Sequence, residues 1–319
     1  MTTLPPTPAS LRGTTDLAVG LTAGPLTDDP VPHGHRRGRV RRWSYAAAAG
    51  DGIALGAAIV SLGMAGSAFA WVLTDDGVHT WDRRLLGRQA ILGKLPSDGA
   101  AAPALHTPDV RIDAHGGINL HVRTDDGHTL RAVLEATPST PVVCVTPTER
   151  GGWNVTEKEA GQVVRGTVTI DGQERPLIGH GWRDWTVGRQ DRHTVWRWAA
   201  GAGTAADGRP AGVNVSTGMN AAGPGEDVAW LDGRPIPLEV TRLAPVSENA
   251  LEGPWVVEGV NWRLSFTAAG VRAADENLLV VSSRYVQPIG HFQGTLPDGE
   301  GGTVEVSLMG VTEDHEATW

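Results

Sequence analysis

Along much of the chain apolar residues alternate with polar ones at a period of two. Val164, Gly166, Val168 and Ile170 alternate with Arg165, Thr167 and Thr169, and Ile118, Leu120 and Val122 with Asn119, His121 and Arg123. Trp262, Leu264 and Phe266, and later Val304, Val306 and Leu308, repeat the pattern. A period of two predicts strands with one buried and one solvated face, as antiparallel sheets have. Asp-Gly pairs punctuate these runs at 51–52, 76–77, 98–99, 126–127, 171–172, 207–208, 232–233 and 298–299. Asp-Gly suits the type I′ hairpin turn, whose two central residues both need positive φ. Helical spacing is best, and short, at Trp81–Leu92. The predicted class is all-β and antiparallel, with few short helices. Repeats of propeller length are absent, so strands closing into barrels are the favoured architecture, because closure removes exposed sheet edges.

One run looks different. Ile53–Leu73 carries no charge over 21 residues and follows five arginines between Arg36 and Arg42, which is the length and flank of a membrane-spanning helix. Glycine, serine and alanine dilute it, however, and Asp-Gly or Asp-Asp-Gly turns bracket it. It also divides at Leu62-Gly63-Met64-Ala65-Gly66 into two strand-length pieces, Ile53–Leu62 and Ser67–Leu73. Two buried strands are the preferred reading, so no integral span is expected, while peripheral membrane contact stays open. The basic run lies too far from Met1 for an ordinary secretory signal. Residues 1–36 read as a disordered tail rich in Thr, Pro, Gly and Asp. Residues 37–175 then form a first β domain, and 176–319 a second.

Composition narrows the function. The net charge of −9 argues against nucleic acid, whose phosphates need a basic surface. The single cysteine, Cys144, sits in an apolar run and forbids an internal disulfide. That fits a reducing compartment, so a cytoplasmic location is expected. Tryptophan is over-represented, at 12 residues against 3 Phe and 2 Tyr. These indoles either pack between sheets or line a ligand cavity. No phosphate loop, dinucleotide fingerprint, Gly-x-Ser-x-Gly elbow, zinc spacing or His-Glu-x-x-His occurs, so neither cofactor nor metal is expected. His33-Gly-His35 lies in the tail.

Chemistry concentrates between Gly179 and Ala200. His180, Trp182 and Asp184 are spaced by two, so they share a strand face; Trp196 and Trp198 share another, and Trp185 stands between. If a hairpin paired these strands, indoles would surround one carboxyl and one imidazole. A carboxyl among indoles is desolvated and holds its proton towards neutrality, and indole faces stabilise a cation. That suits protonation of a double bond. The alternative is an Asp tied to indole N–H groups, holding a sheet corner.

Taken in order, Trp43-Ser-Tyr45, Gly179-His-Gly-Trp-Arg-Asp184-Trp185, Trp196-Arg-Trp198, Gly212-Val-Asn214-Val-Ser-Thr-Gly218-Met-Asn220, Trp230-Leu-Asp-Gly233 and Gly310-Val-Thr-Glu313-Asp-His315 through Trp319 resemble the bacterial family called domain of unknown function 2804. That family is distantly similar to the carotenoid 1,2-hydratase and AttH group. The resemblance implies two lipocalin-like (calycin-type) antiparallel β-barrel domains. It also implies a hydrophobic small-molecule partner, isoprenoid, lipid or polyketide-like, held in a Trp-lined pocket. Some of that wider group hydrate or cyclise double bonds, and others only carry lipids. Its hydratases use a His/Trp/Tyr/Asp set; His180, Trp182 and Asp184 match it, while Tyr45 and Tyr285, the only tyrosines, lie far off in sequence. On this reading Asp184 is the proton donor, and His180 orients it or activates water. Trp182, Trp185, Trp196, Trp198, Asn214, Asn220, Tyr285, Glu313 and His315 are the candidate ligand contacts. Glu313 and His315 reach the cavity or else cap the last strand.

Overall fold

The computed structural model describes residues 4–8, 19–27, 30–31, 40–62, 65–86, 104–107, 110–113, 117–219, 225–278 and 281–318. Among these every regular element is a strand. The first sheet contains β1 (Gly20–Ala23), β2 (Arg41–Gly50), β3 (Ile53–Ser61), β4 (Ala65–Thr74), β5 (Gly77–Leu86), β6 (Ala104–Thr107), β7 (Val110–Asp113), β8 (Gly117–Arg123), β9 (Thr129–Thr137), β10 (Val142–Pro147), β11 (Trp153–Ile170) and β12 (Gln173–Arg189). The second contains β13 (His193–Ala205), β14 (Pro210–Thr217), β15 (Val228–Leu231), β16 (Arg234–Pro237), β17 (Val240–Pro245), β18 (Trp255–Gly259), β19 (Trp262–Leu278), β20 (Val281–Pro297) and β21 (Thr303–Thr318). The first sheet runs β5-β4-β3-β2-β12-β11-β9-β8-β7-β6, with β10 on the first half of β11 and β1 beyond it. The second runs β16-β15-β14-β13-β21-β20-β19-β18-β17. This is the all-β antiparallel architecture that the strand rhythm predicts.

Each sheet curls round its own core. Alternate residues of β2–β5, β8, β9, β11 and β12 meet inside the first, around Leu55, Val72, Trp81, Leu120 and Leu130. Its two flanks join where the Asp125 amide donates to the Thr80 carbonyl at 2.7 Å. The second core gathers Val213, Trp255, Leu264, Phe266 and Phe292. At Asp51-Gly52, Asp171-Gly172 and Asp232-Gly233 both residues have positive φ, so these are the type I′ turns expected. At 76–77, 126–127, 207–208 and 298–299 only the glycine does, and other turn types close those hairpins. Asp98-Gly99 lies outside the described residues.

The membrane-like run is β3 and most of β4. It lacks polar alternation because this part of the sheet is covered twice. Leu55, Ala57 and Ile59 point into the first core, while Ala54 and Ala58 point into a third cluster between the sheets. Among the described residues no helix is long and apolar enough to cross a membrane.

Three expectations need correction. Residues 77–86, which include the start of the helix-like Trp81–Leu92, are strand β5; the remainder of that segment lies outside the described residues. The expected tail contributes β1, paired with β10, and buries Leu26, whose amide donates to Glu157 at 2.6 Å. Its short apolar stretch satisfies the free edge of β10. The strands carrying Asp184 and Trp196 do not pair: β12 lies between β11 and β2, and β13 lies between β14 and β21. Both edges of β12 are occupied, so the chain changes sheet between Arg189 and His193.

The sheets touch where a β-bulge at Ala160–Gln162 of β11 meets β14. Gly161 there has φ +76, and a Cβ on Gly212 would fall 2.6 Å from both Ala160 Cβ and the Gly161 nitrogen. The two backbones therefore approach as only glycine permits.

Candidate functional site

A cavity of about 410 Å³ opens between the two sheets, outside both barrel cores. Strand alternation builds it. Trp43 and Tyr45 come from β2, Ala58 and Val60 from β3, Phe69 from β4, and Thr156 and Lys158 from β11. Asp184 and Thr186 come from β12, Trp196 and Trp198 from β13, and Arg272, Ser283, Tyr285, Glu313 and His315 from β19 to β21. The size is that of a small-molecule site, and much of the wall is aromatic or aliphatic.

On one side the cavity wall holds three buried charged groups. Lys158 Nζ lies 2.8 Å from Asp184 Oδ1 and 3.3 Å from Glu226 Oε1. Thr186 Oγ1 donates to Asp184 Oδ1 at 3.1 Å, Trp43 Nε1 to Asp184 Oδ2 at 3.3 Å, and Thr156 to Glu226 at 2.5 Å. Burial raises the Asp184 pKa above the ordinary carboxyl value, and the Lys158 ammonium only partly offsets it. Burial alone would lower the Lys158 pKa, but Asp184 and Glu226 together raise it, so Lys158 is an ammonium. Two carboxyl groups thus share one cation.

The same cavity is also lined by a hydrogen-bonded chain. Ser283 Oγ lies 2.9 Å from His315 Nε2, and His315 Nδ1 lies 3.1 Å from Glu313 Oε1. Gln287 Nε2 and Trp196 Nε1 also donate to Glu313, at 2.6 and 3.0 Å. Burial would raise the Glu313 pKa, but the contact with His315 and these donors reverse it, and the carboxyl is held below its ordinary value. An ionised carboxylate only accepts, so Nδ1 of His315 carries a hydrogen towards Glu313, and Nε2 faces the Ser283 hydroxyl. Trp196 stacks on the imidazole at 3.9 Å. Arg272 is sandwiched between Phe69 and Tyr285, at 3.7 and 4.7 Å, and pairs with Asp82.

Of the residues predicted from sequence, Asp184, Trp196, Trp198, Tyr285, Glu313 and His315 line this cavity. Asn214 sits behind it, accepting from Trp198 Nε1 at 2.9 Å and donating to the Glu226 carbonyl at 2.9 Å. It fixes both an indole and the backbone of an acid. Trp182 shares the Asp184 face but packs in the cluster between the sheets, with Ala47 and Trp71. Trp185 points the other way, into a cluster with Trp153 and Val187, as alternation requires. His180 is half-buried beside Ala49, away from the cavity lining, and burial lowers its pKa. Asn220 lies outside the described residues. Cys144 is buried, its thiol pKa raised by burial.

The sequence reading missed Tyr45, Lys158, Glu226, Ser283 and Gln287. Tyr45 is the register partner of Asp184, so β2 brings a tyrosine beside the acid from far away in sequence. Elsewhere, His79, Asp126 and His128 bring potential metal-ligand atoms within 4.8 Å of one another.

Asp227, next to Glu226, has its pKa pushed up to about 7 by burial, although the Ser216 amide bonds its carboxylate at 2.8 Å. The folded state therefore keeps this proton between about pH 4 and pH 7, where the unfolded chain has lost it. Its stabilising contribution is complete below pH 4 and is lost as pH rises through 7. Each unit of the difference is worth about 1.4 kcal/mol. Urea unfolding from pH 5 to 8 is expected to show this fall in wild type and a flatter profile in Asp227→Asn. Parallel profiles refute the assignment.

No curated protein matches the sequence. Several solved structures resemble this chain at low identity. An AttH-like protein of Nitrosomonas europaea aligns with TM-score 0.47 and 15% identity over 86% of this chain and 92% of its own. Kievitone hydratase of Nectria haematococca gives 0.49 and 10%, covering 88% of each chain. CghA, crystallised with Sch210972, gives 0.44 and 11%, again covering 88% of each. The family model described as Domain of unknown function (DUF2804) matches residues 17–319, and the chain belongs to that family.

Proposed function

We propose that the protein binds a hydrophobic small molecule in the inter-sheet cavity and hydrates one of its double bonds by acid–base catalysis. One observation carries this reading: two carboxyl groups on a single cavity have pKa values displaced in opposite directions, Asp184 upward and Glu313 downward. Such divergence separates a proton donor from a carboxylate that can orient a base. Asp184 is the general acid. It gives its proton to one alkene carbon, and the π faces of Trp198, Tyr45 and Trp43 stabilise the cation left on the other. His315, oriented by Glu313, takes a proton from water as the water oxygen bonds to that carbon. The proton returns to Asp184 through solvent, and the net change is addition of one water. Ser283 Oγ, 2.9 Å from Nε2, relays that proton, taking it from the water and passing its own to the imidazole. The role first given to His180 passes to His315.

The test is mass spectrometry of the organic extract of protein purified from its native host. The extract is then re-incubated with fresh wild-type protein. A ligand converted to a species heavier by one water supports the proposal. A ligand recovered unchanged leaves a carrier and sinks the catalytic reading.

A further inference from the structure

We propose that His79, Asp126 and His128 form a binding site for a first-row divalent cation of the zinc type at one end of the first barrel. The site is independent of the inter-sheet cavity. His79 belongs to β5, while Asp126 and His128 belong to the β8–β9 turn and the residue entering β9. These segments are far apart in sequence and meet because the sheet curls. The ligand atoms of the three residues lie within 4.8 Å of one another, and the two imidazole rings are 4.5 Å apart at 66°.

A second observation concerns the carboxylates around the imidazoles. His128 Nδ1 lies 2.5 Å from Asp171 Oδ2, and Asp171 is itself held by the Thr129 amide at 2.8 Å. His79 Nδ1 lies 2.6 Å from Asp126 Oδ2, and its Nε2 lies 3.4 Å from Asp76. Asp171 can thus accept from His128 Nδ1 and Asp76 from His79 Nε2, which leaves His128 Nε2 and His79 Nδ1, beside Asp126, for an ion. Metal-binding histidines are fixed in this way. Two imidazoles and one carboxylate select zinc-like ions over magnesium or calcium, which prefer all-oxygen shells. The surrounding negative charge attracts a cation, and the partial exposure of Asp126 and His128, 48% and 37% of their side chains, lets one enter. A bound ion would clasp β5 to the β8–β9 turn, beside the backbone hydrogen bond from Asp125 to Thr80.

Calorimetric titration of the full chain with Zn²⁺, and with Co²⁺ read by its visible absorption, tests this. One saturable ion per chain is expected at this site. His79→Ala and His128→Ala should each weaken binding at least tenfold. Asp171→Asn, an exposed change that keeps a residue tolerant of the turn's positive φ, should weaken it about 10–100-fold without altering the fold. The double variant His33→Ala/His35→Ala should bind as wild type. Failure to saturate, equal binding of Mg²⁺ or Ca²⁺, or loss of binding only in the His33/His35 variant overturns the proposal.

Discussion

Lys158→Met destabilises the protein by about 3–5 kcal/mol at pH 8, the range for removing one partner from a buried ion pair. The substitution preserves length and removes only the ammonium. What remains are Asp184 and Glu226, both buried and formerly joined through Nζ at 2.8 and 3.3 Å. Neither can reach water readily, and their mutual repulsion replaces attraction to a shared cation. Two features distinguish this from a general packing defect. The penalty shrinks as pH falls, because protonating a carboxyl of raised pKa removes the uncompensated charge. Asp184→Asn then costs less in the Lys158→Met background than in wild type, with a coupling of roughly 0.5–3 kcal/mol, as expected for groups in one network. Urea unfolding followed by tryptophan fluorescence reads both. A penalty independent of pH, with additive double substitution, contradicts the shared-cation arrangement.

That cluster shows where sequence stops being informative. The strands are legible because alternation reports burial directly: Ile118, Leu120 and Val122 are buried, while His121 and Arg123 are exposed. Glu157-Lys158-Glu159 defeats the same logic. Three consecutive charges read as a solvated edge, yet all three are buried, the glutamates on one face against Arg183 and the lysine on the other against Asp184. The hidden information is that β11 is covered on both faces, and coverage is a property of the partner sheet. The site is split for a related reason. Sequential strands usually pair, so β12 and β13 read as a hairpin, and Asp184 appears to face Trp196 and Trp198 across a turn. The long strands β11 and β2 occupy both edges of β12 instead. The acid and the indoles meet across the cleft between sheets, and Tyr45 and the Ser283–His315–Glu313 chain arrive with them. A charged run inside an otherwise apolar strand was the available signal for Lys158; nothing local marks Glu226 or Ser283.

Asp184→Asn should lower kcat on the native ligand by about 10²–10⁴-fold, the usual worth of a positioned general acid. Ligand affinity should change little. Asparagine keeps the shape, and its carbonyl still accepts from Thr186 or Trp43, so the wall of the cavity is preserved. His315→Gln should lower kcat over the same range by removing the base, and the double variant should fall little further than either alone, since every turnover needs both acid and base. The pH profile separates catalysis from architecture. An acid must hold its proton to act, so wild-type turnover declines as pH rises through the raised Asp184 pKa, and that limb disappears from the residual rate of Asp184→Asn. A residue that only balanced Lys158 would behave otherwise: Asp184→Asn would lower the unfolding midpoint and leave kcat and its pH dependence unchanged. With turnover and unfolding measured on the same preparations, that result would reduce Asp184 to the counter-ion of a buried lysine and leave the cavity a binding site without an acid.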